Sequence, residues 1–366
     1  MLLTLFGVFT LLYALTMLLF AGGALAARYP SDRSSRPTVS VIVSARNEGK
    51  RIRVCLSSLV SLTYPRELLQ IICIDDRSTD DTAAIVREFA RDHPHIHLVE
   101  GRPPTDHLRG KANALALGIE HATGEILLFT DADCLVPPGW VEETVKYYDR
   151  EDVGIVAGFT RVRSVWWFHA MQALDWYALF SVAAATARLG MPVTAVGTNL
   201  SVRRSAYDAV GGYRGIPFSV TEDYALVHAV ATRTPYRVRF PMDPTQLVVT
   251  EPCLTAVELF HQKKRWFTGG RGMDLRNLLI IGYLYAFKGL LLLSPALFGW
   301  GVFGVSLGIK LLVDLGLLLP ALLRFGDVRM LRAFPAMAVY FIAYVLVYPP
   351  LVLLGSSVRW KERSYS

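Results

Sequence analysis

Cysteine and charge are both scarce in this sequence of 366 residues, and each shortage excludes a class of protein. Charged residues make up 19% of the chain, while hydrophobic residues make up 52% and the mean hydropathy is +0.35. Soluble domains carry less apolar sequence than this, so the composition predicts a membrane protein. The cysteines form no CxxC pair and have no histidine at zinc-ligand spacing, which argues against a zinc site or a disulfide framework: Cys55, Cys73, Cys134 and Cys253.

The positive net charge does not point to nucleic acid. The formal net charge is +7, but many of the basic residues flank apolar segments, where they meet anionic lipid headgroups. We therefore expect membrane lipids as partners and no nucleic acid.

The first apolar segment, residues 1–27, predicts a transmembrane anchor. The run from Leu2 to Ala26 exceeds the roughly 20 residues that a spanning helix needs. Residues 24–26 also resemble a signal-peptidase site, but no lysine or arginine precedes the run and it exceeds the usual signal-peptide core, so we expect an uncleaved anchor. The positive-inside rule then places the polar domain in the cytoplasm, because three arginines follow directly: Arg28, Arg33 and Arg36.

The last part of the chain, residues 278–356, predicts about three further transmembrane helices. The apolar block from Leu278 to Leu323 is about twice the length of one span, which favours a helical hairpin, and Phe334 to Gly355 forms a last span. Four spans in total would leave the tail outside, against the positive-inside rule, because the tail is basic: Arg359, Lys361 and Arg363. An alternative in which one apolar piece lies along the membrane interface stays open.

Between the apolar ends, strand and helix patterns alternate. Runs rich in β-branched or apolar residues predict strands at 39–44, 69–74 and 126–130, and helical patterns occupy about 51–62, 82–91 and 111–121. This order predicts an α/β domain with a mostly parallel sheet and a ligand crevice at the carboxyl ends of its strands.

Residues 164–190 are dense in aromatic side chains, but Asp175 and Arg188 interrupt the pattern, which makes this a poor spanning segment. Tryptophan and tyrosine prefer the headgroup layer, so the composition favours an amphipathic interfacial helix. An ordinary core helix is the alternative.

Asp131-Ala132-Asp133 follows a buried strand. Side chains two residues apart in a strand lie on the same side, so both carboxylates face one site. Oxygen ligands of this kind suit Mg²⁺ or Mn²⁺, which bridge carboxylates to phosphate oxygens. A DxD sequence alone is a weak signal, and its position after the strand is what gives it weight.

Six motifs, in this order and at this spacing, resemble glycosyltransferase family 2. They are Val39 to Glu48, Asp75-Asp76-Arg77-Ser78, Gly110-Lys111-Ala112-Asn113, Asp131-Ala132-Asp133, Thr221-Glu222-Asp223 and Gln262-Lys263-Lys264-Arg265-Trp266. The resemblance implies a Rossmann-like GT-A fold over residues 37–250, an interfacial segment at 251–277 that carries the QxxRW motif, and membrane helices around them. With the apolar segments and the basic residues after the first of them, we expect a multi-pass protein of a bacterial inner membrane with its catalytic domain in the cytoplasm.

The same resemblance assigns donor-binding roles by motif. Asp131 would face the ribose side, Asp133 would hold the metal with Asp131 beside it, and Lys111 would lie near the donor phosphates. The remaining donor contacts would come from Ala45, Asn47 and Glu48 on the nucleoside, Asp75 or Asp76 on the base, and Gln262, Arg265 and Trp266 on the diphosphate and acceptor. Arg77 departs from the glycine that is more usual after the two aspartates.

The resemblance makes Asp223 the general base, with Glu222 beside it for donor or acceptor hydroxyls. Other residues near these motifs have alternatives. Trp266 either stacks on a sugar or anchors the chain at the bilayer, and His261 is more often structural than a ligand. Lys263 and Lys264 are expected to touch anionic lipid, and residues 197–199 either shape the acceptor end of the cleft or form a plain turn.

These expectations together describe an inverting hexosyltransferase that uses Mg²⁺ or Mn²⁺ and a nucleotide-diphosphate sugar, with UDP-sugar favoured. The acceptor is expected to be the hydroxyl of a membrane lipid, as in ceramide, glycolipid, hopanoid or carotenoid glycosyltransferases. Processive polysaccharide synthases share the QxxRW motif but have more membrane spans than the four predicted here. Such a synthase is the second candidate function. A noncatalytic scaffold that binds nucleotide sugar is a third alternative.

Overall fold

The computed structural model describes residues 1–32, 34, 36–270, 274–353, 358–360 and 363–365. Parts of four expectations lie outside the described residues: Arg33 of the basic segment, 271–273 of the interfacial segment, 354–356 of the last span and Lys361 of the tail.

A seven-stranded sheet forms the centre of the polar domain within the described residues. Its strands are β1 (Val39–Ala45), β2 (Leu69–Asp75), β3 (Ile96–Glu100), β4 (Ile126–Asp131), β6 (Val153–Ala157), β8 (Leu200–Arg203) and β9 (Arg237–Arg239), in the order β3-β2-β1-β4-β8-β6-β9. All pairs are parallel except those of β8 with β4 and with β6. The predicted mostly parallel α/β domain is therefore confirmed.

Two smaller sheets and a set of helices complete the described structure. A three-stranded sheet contains β5 (Cys134–Leu135), β10 (Val248–Thr250) and β7 (Thr160–Val162), and a two-stranded sheet contains β11 (Val358–Trp360) and β12 (Arg363–Tyr365). The helices of the polar domain are α2 (Ile52–Val60), α3 (Thr82–Asp92), α4 (Gly110–Glu120), α5 (Trp140–Val145), α6 (Trp167–Arg188), α7 (Arg204–Ala209), α8 (Glu222–Arg233) and α9 (Ala256–Gly269).

Four further helices are long and apolar enough to cross a membrane: α1 (Leu2–Leu25), α10 (Leu275–Phe298), α11 (Trp300–Phe325) and α12 (Phe334–Leu353). The predicted anchor, hairpin and last span all correspond to these helices. Gly299, with φ of +85°, lets the chain turn between α10 and α11 at a conformation that other residues rarely adopt.

The two faces of the sheet pack against different partners. On β1, Val41 and Val43 point to a core that includes Leu56 of α2 and Trp140 of α5. Ile42 points to the opposite face, whose core continues through α4 and α6 into the apolar helices. Because strand side chains alternate, one strand contributes to both cores, and the sheet is joined to the membrane helices by continuous apolar packing.

The helix predicted at 164–190 is present as α6, but it is a packed helix. Most of its residues are buried, and α1, α11 and α12 pack along it. A Cβ added to Gly23 of α1 would lie 2.9 Å from the Cβ of Ala185, so the two helix backbones approach closely. α6 is packed as the core-helix alternative describes, because tertiary contacts cover faces that the sequence leaves apolar all round. Its place in the headgroup layer stays a prediction.

Ion pairs and hydrogen bonds connect the polar domain to α11 and to the turn that follows it. Arg161 of β7 pairs with Asp327 at 2.6 Å, and Tyr177 of α6 donates to the same carboxylate. Arg324 of α11 also donates to the backbone carbonyl of Met242. These contacts fix how the carboxyl edge of the sheet faces the apolar helices.

Candidate active site

Strand register brings the motifs to one edge of the sheet. Ala45 pairs with Asp75 across β1 and β2, and Ser44 pairs with Asp131 across β1 and β4. The carboxyl ends of these three parallel strands therefore meet, and a polar cleft of about 530 Å³ opens above them.

Most of the predicted site residues line this polar cleft. They come from loops and helices that are distant in sequence: Ala45, Glu48, Asp76, Lys111, Asp131, Asp133, Glu222, Asp223, Gln262, Arg265 and Trp266. Residues 197 and 198 of the Gly197–Asn199 turn also line it, so this turn does belong to the cleft.

Asn47 and Asp75 are the two predicted residues that do not line the polar cleft. Asn47 has φ of +52°, and its side-chain oxygen accepts from the backbone N–H of Thr79 at 2.8 Å, so it ties two loops together. Asp75 accepts from the backbone N–H of Ser78 at 3.2 Å through Oδ2. Its Oδ1 is buried and has no hydrogen-bond partner in the described part of the chain. Buried acceptors are normally satisfied, so this atom is a candidate ligand contact.

The unusual arginine of the second motif lies in the turn after β2. Arg77 has φ of +57°, a left-handed conformation in which glycine is the usual residue. Its guanidinium Nε lies 3.6 Å from Asp76 Oδ1, and Arg46 donates to the backbone carbonyls of Asp76 and Arg77 at 2.7 and 3.0 Å. These contacts hold the turn in a conformation that arginine alone would disfavour.

Lys111 joins two of the acidic motifs. Its ammonium lies 2.7 Å from Asp131 Oδ1 and 3.0 Å from Glu222 Oε1. Burial would lower the pKa of Lys111, but the negative charges of Asp131, Glu222 and Asp223 outweigh burial and raise it. Lys111 therefore stays charged and holds the two carboxylate motifs side by side.

Asp223 lies in the first turn of α8, and two backbone N–H groups donate to its carboxylate. Its Oδ2 accepts from the N–H of Gly197 at 2.7 Å, and its Oδ1 accepts from the N–H of Tyr224 at 2.8 Å. Burial and the neighbouring Glu222 raise the pKa of Asp223 to about 6, against the opposite effects of Lys111 and the two N–H donors. A carboxylate with this pKa is ionised at neutral pH and is basic enough to take a proton.

The QxxRW residues lie on one face of α9. Gln262, Arg265 and Trp266 are three and four residues apart, so they share a face of the helix and point into the polar cleft. The end of α9 packs tightly on the acidic loop, since a Cβ at Gly269 would lie 2.1 Å from Thr221 Oγ1. Gln262 Oε1 is buried without a hydrogen-bond partner among the residues the structure covers, which leaves it available to a ligand.

A buried ion pair supports Trp266 from behind. Lys263 is 2% exposed and forms an ion pair with Asp175 of α6. Its ammonium also lies 4.0 Å from the centre of the Trp266 ring, and Trp176 packs against the same ring at 5.5 Å. The expectation that Lys263 touches lipid is wrong, because the fold gives it a carboxylate and an aromatic ring.

Asp175 and Trp176 are site residues that no sequence motif indicates. The sequence pattern places both in an aromatic helix, in which Asp175 only interrupts the apolar residues. An isolated carboxylate in an otherwise apolar and aromatic segment is the signal that would have indicated a buried partner.

A second, apolar cavity of about 410 Å³ lies between α1, α6, α9, α10, α11 and α12. It adjoins the polar cleft, because four residues line both spaces: Val196, Thr221, Asp223 and Trp266. Asp223 and Trp266 therefore stand where a space lined by charged groups meets a space lined by apolar side chains of the membrane helices.

The donor set of the cleft suits a hard divalent cation that is shared with phosphate. No cluster of three or more histidine, cysteine, aspartate or glutamate side chains that could cage a metal occurs in the described ranges. Asp131 and Asp133 offer carboxylate oxygens at the end of β4, and Mg²⁺ is commonly held by one or two carboxylates plus substrate phosphates. The residues present fit that mode of binding.

Comparisons with known proteins agree with this geometry. The family described as "Glycosyl transferase family 2" matches residues 40–211, and "Glycosyl transferase family group 2" matches residues 126–355. The chain is 29% identical over 253 residues to a beta-monoglucosyldiacylglycerol synthase of Nostoc sp., covering 68% of this chain and 52% of that protein. It is 27% identical over 258 residues to a poly-beta-1,6-N-acetyl-D-glucosamine synthase of Staphylococcus epidermidis, covering 68% and 58%.

Among solved structures, the chain resembles a mannosyltransferase from Pyrobaculum calidifontis, determined in complex with GDP-Man and Mn²⁺. The TM-score is 0.59 at 23% identity, over 93% of this chain and 99% of that one. This likeness supports the GT-A fold. The chain spans little more than half the length of the two curated relatives. Since one of the two family matches covers more than half of the sequence, the protein belongs to the family 2 group of glycosyltransferases.

Proposed function

We propose that the protein transfers one hexose from a nucleotide-diphosphate sugar to the hydroxyl of a membrane lipid, with inversion at the anomeric carbon. The observation that carries this proposal is the shared wall between the polar cleft and the apolar cavity, at Asp223 and Trp266. A charged nucleotide suits the cleft, and a lipid tail suits a cavity built from membrane helices.

The donor would lie along the carboxyl ends of β1, β2 and β4. Asp75 Oδ1 is a buried acceptor without a partner in the described structure, and a uracil ring nitrogen is a donor that would satisfy it. Arg265 offers planar paired donors to the diphosphate, and Gln262 lies beside it on α9. These contacts suit a nucleotide-diphosphate sugar, and a UDP-sugar is the donor we propose.

Asp223 would act as the general base for a hydroxyl that arrives from the apolar cavity. The hydroxyl oxygen forms a bond to the anomeric carbon, the bond from that carbon to the diphosphate oxygen breaks, and the hydroxyl proton moves to the Asp223 carboxylate. The Gly197 and Tyr224 N–H groups fix the orientation of this carboxylate. Attack opposite to the leaving diphosphate inverts the anomeric centre.

Asp133, with Asp131 beside it, would hold Mg²⁺ or Mn²⁺. A bound divalent ion neutralises charge on the leaving diphosphate. Lys111 would keep Asp131 and Glu222 in place near that group, because it pairs with both. We expect EDTA to abolish transfer and added Mn²⁺ to restore it, and activity that survives EDTA would contradict this assignment.

The polar domain would lie on the cytoplasmic side of a bacterial inner membrane. Arg28 and Arg36 follow α1, and the positive-inside rule places such a basic segment in the cytoplasm. Cysteine accessibility in intact cells would test this orientation: a cysteine introduced at the exposed Asp208 should resist an impermeant thiol reagent until the cells are lysed.

Product length tests the acceptor. Purified protein with labelled UDP-sugar and a lipid extract should give a single organic-soluble product. A series of products that lengthens with time, or an immobile polymer, would refute the single transfer and support the polysaccharide synthase, which the Staphylococcus relative makes the second candidate. If the protein binds the nucleotide sugar but forms no labelled product, the alternative of a noncatalytic scaffold would be favoured.

A further inference from the structure

The apolar cavity contains charged side chains that the proposed reaction does not use. Lys288 of α10 and Asp314 of α11 line it from the membrane helices, and Asp175 and Lys263 line it from the side of the polar domain. Ionisable residues within membrane-spanning helices are costly, and they usually mark a functional position.

Most of these charges are neutralised within the protein. Asp314 accepts from the hydroxyl of Tyr13 at 2.6 Å through Oδ1 and pairs with Lys310 at 2.7 Å through Oδ2. Asp175 is paired with Lys263. Each of the two carboxylates is therefore already matched with one lysine.

Lys288 is the exception. Its ammonium lies 4.9 Å from the centre of the Phe341 ring and 5.7 Å from that of Tyr285, and no carboxylate of the described chain lies within ion-pair distance of it. Away from Asp223, this region holds three lysines and two aspartates, and the two ion pairs of the aspartates leave Lys288 without a carboxylate among the described residues. Lys288 is half-buried, and aromatic rings compensate such a cation only in part.

The position of Lys288 separates it from the catalytic end of the cavity. Asn277, near the start of α10, donates to the hydroxyl of Tyr224, the residue after Asp223. Lys288 comes eleven residues later, which is about 16 Å along a helix at 1.5 Å per residue. Between them, the α10 wall of the cavity is formed by three apolar residues, Leu278, Ile281 and Leu284, and then by Tyr285.

We infer that the acceptor is a two-headed amphiphile, with a hydroxyl at Asp223 and, beyond an apolar stretch, an anionic group that pairs with Lys288. This inference rests on the proposed function and narrows its acceptor. A carboxylate and a phosphate monoester share the required charge. A neutral lipid such as a diacylglycerol would leave the Lys288 ammonium without a counter-charge in the membrane interior.

The test uses the full-length protein in nanodiscs, with labelled UDP-sugar and a lipid extract of the native host that anion exchange has separated into neutral and acidic fractions. We expect the label in the acidic fraction. Esterification with acidic methanol should remove the acceptor if its anion is a carboxylate, and phosphatase treatment should remove it if the anion is a phosphate monoester. Labelling confined to the neutral fraction would overturn the inference while the proposed function stands. No labelling of any lipid would count against the proposed function itself.

Variants of Lys288 supply the second arm. Lys288→Met should raise the KM for the acidic acceptor about thirtyfold, the effect of removing one partner of a buried charge pair, and leave the KM for UDP-sugar unchanged. Lys288→Arg should restore most of the affinity. If Lys288→Met instead lowers kcat without changing the acceptor KM, or if Lys288→Arg fails like Lys288→Met, then Lys288 has a structural role and the inference is wrong.

Discussion

The polar cleft and the apolar cavity meet at the same residues but are built in opposite ways. The cleft takes its side chains from strand ends and short loops, where register and backbone hydrogen bonds fix each carboxylate. The cavity takes its side chains from helices that pack through apolar contacts, and α10 contributes through residues three or four positions apart. The positions of individual side chains are therefore fixed most closely in the cleft, whereas the cavity selects an occupant by its shape.

Trp266 and its supporting pair lie on the boundary between these two spaces. The ring lines both, while Lys263 and Asp175 hold it from behind. A change on the cleft side should therefore affect the chemical step or donor binding, and a change on the cavity side should affect the acceptor. The predictions below test this division, from the largest expected effect to the smallest.

Asp223→Asn should cause the greatest loss. The amide keeps the shape of the side chain but cannot take the hydroxyl proton, so we expect kcat to fall roughly 10²–10⁴-fold. UDP affinity, measured by titration calorimetry, should persist. The matched control is Asp208→Asn, an exposed aspartate of α7, which should behave as wild type. Unchanged turnover in Asp223→Asn would show that Asp223 is not the general base. It would favour the alternative of a noncatalytic scaffold that binds nucleotide sugar.

Arg265→Lys should come next, acting on the cleft side alone. Lysine keeps the charge but loses the planar pair of donors, so transfer from UDP-sugar should fall on the order of 10- to 100-fold in kcat/KM. Exposed Arg87 of α3 supplies the control through Arg87→Lys. Wild-type kinetics in Arg265→Lys would show that paired donation to phosphate is not needed.

Filling the apolar cavity should affect the acceptor alone. Ala178 of α6 lines the cavity, and Ala178→Trp would occupy part of its volume, so we expect the acceptor KM to rise about tenfold, as a loss of about 1.4 kcal/mol would produce. UDP affinity should not change. Leu290→Trp, at an exposed position on α10, is the control. Equal losses of UDP and acceptor binding in a variant that still melts like wild type would show that the two spaces are not separate.

The smallest expected effect is a shift in the pH profile. Catalysis needs ionised Asp223, whose pKa is raised to about 6, so kcat/KM should be level above that pH and fall tenfold per unit below it. Glu222 is one cause of the raised pKa. Glu222→Gln should therefore move the inflection to lower pH, whatever its effect on the rate. An inflection that stays in place would assign the titration to another group.

The placement of the cleft motifs was largely predictable because each motif is local in sequence. Asp131 and Asp133 follow a strand that its own apolar residues define, and the parallel register then carries Ala45 and Asp75 to the same edge. Asn47 was harder to predict, because its positive φ turns the side chain toward Thr79. The sequence showed the unusual Arg77 but not the left-handed turn that it occupies.

The ion pair that supports Trp266 was not predictable from local sequence. Asp175 and Lys263 are 88 positions apart, and neither shows a partner in its local sequence. The sequence predicts Lys263 at lipid headgroups, as lysines beside apolar segments usually are. That expectation fails because burial of a charge depends on which distant helix covers it.

The sequence by itself determined that this is an α/β glycosyltransferase with apolar helices at both ends, because strand periodicity, motif order and hydropathy are properties of short segments. Only the tertiary structure decided which charges meet, that Asp223 and Trp266 border two different spaces, and that Lys288 lacks a carboxylate partner in the described residues. These features depend on contacts between distant residues, and such contacts arise only when helices and sheet pack around one another.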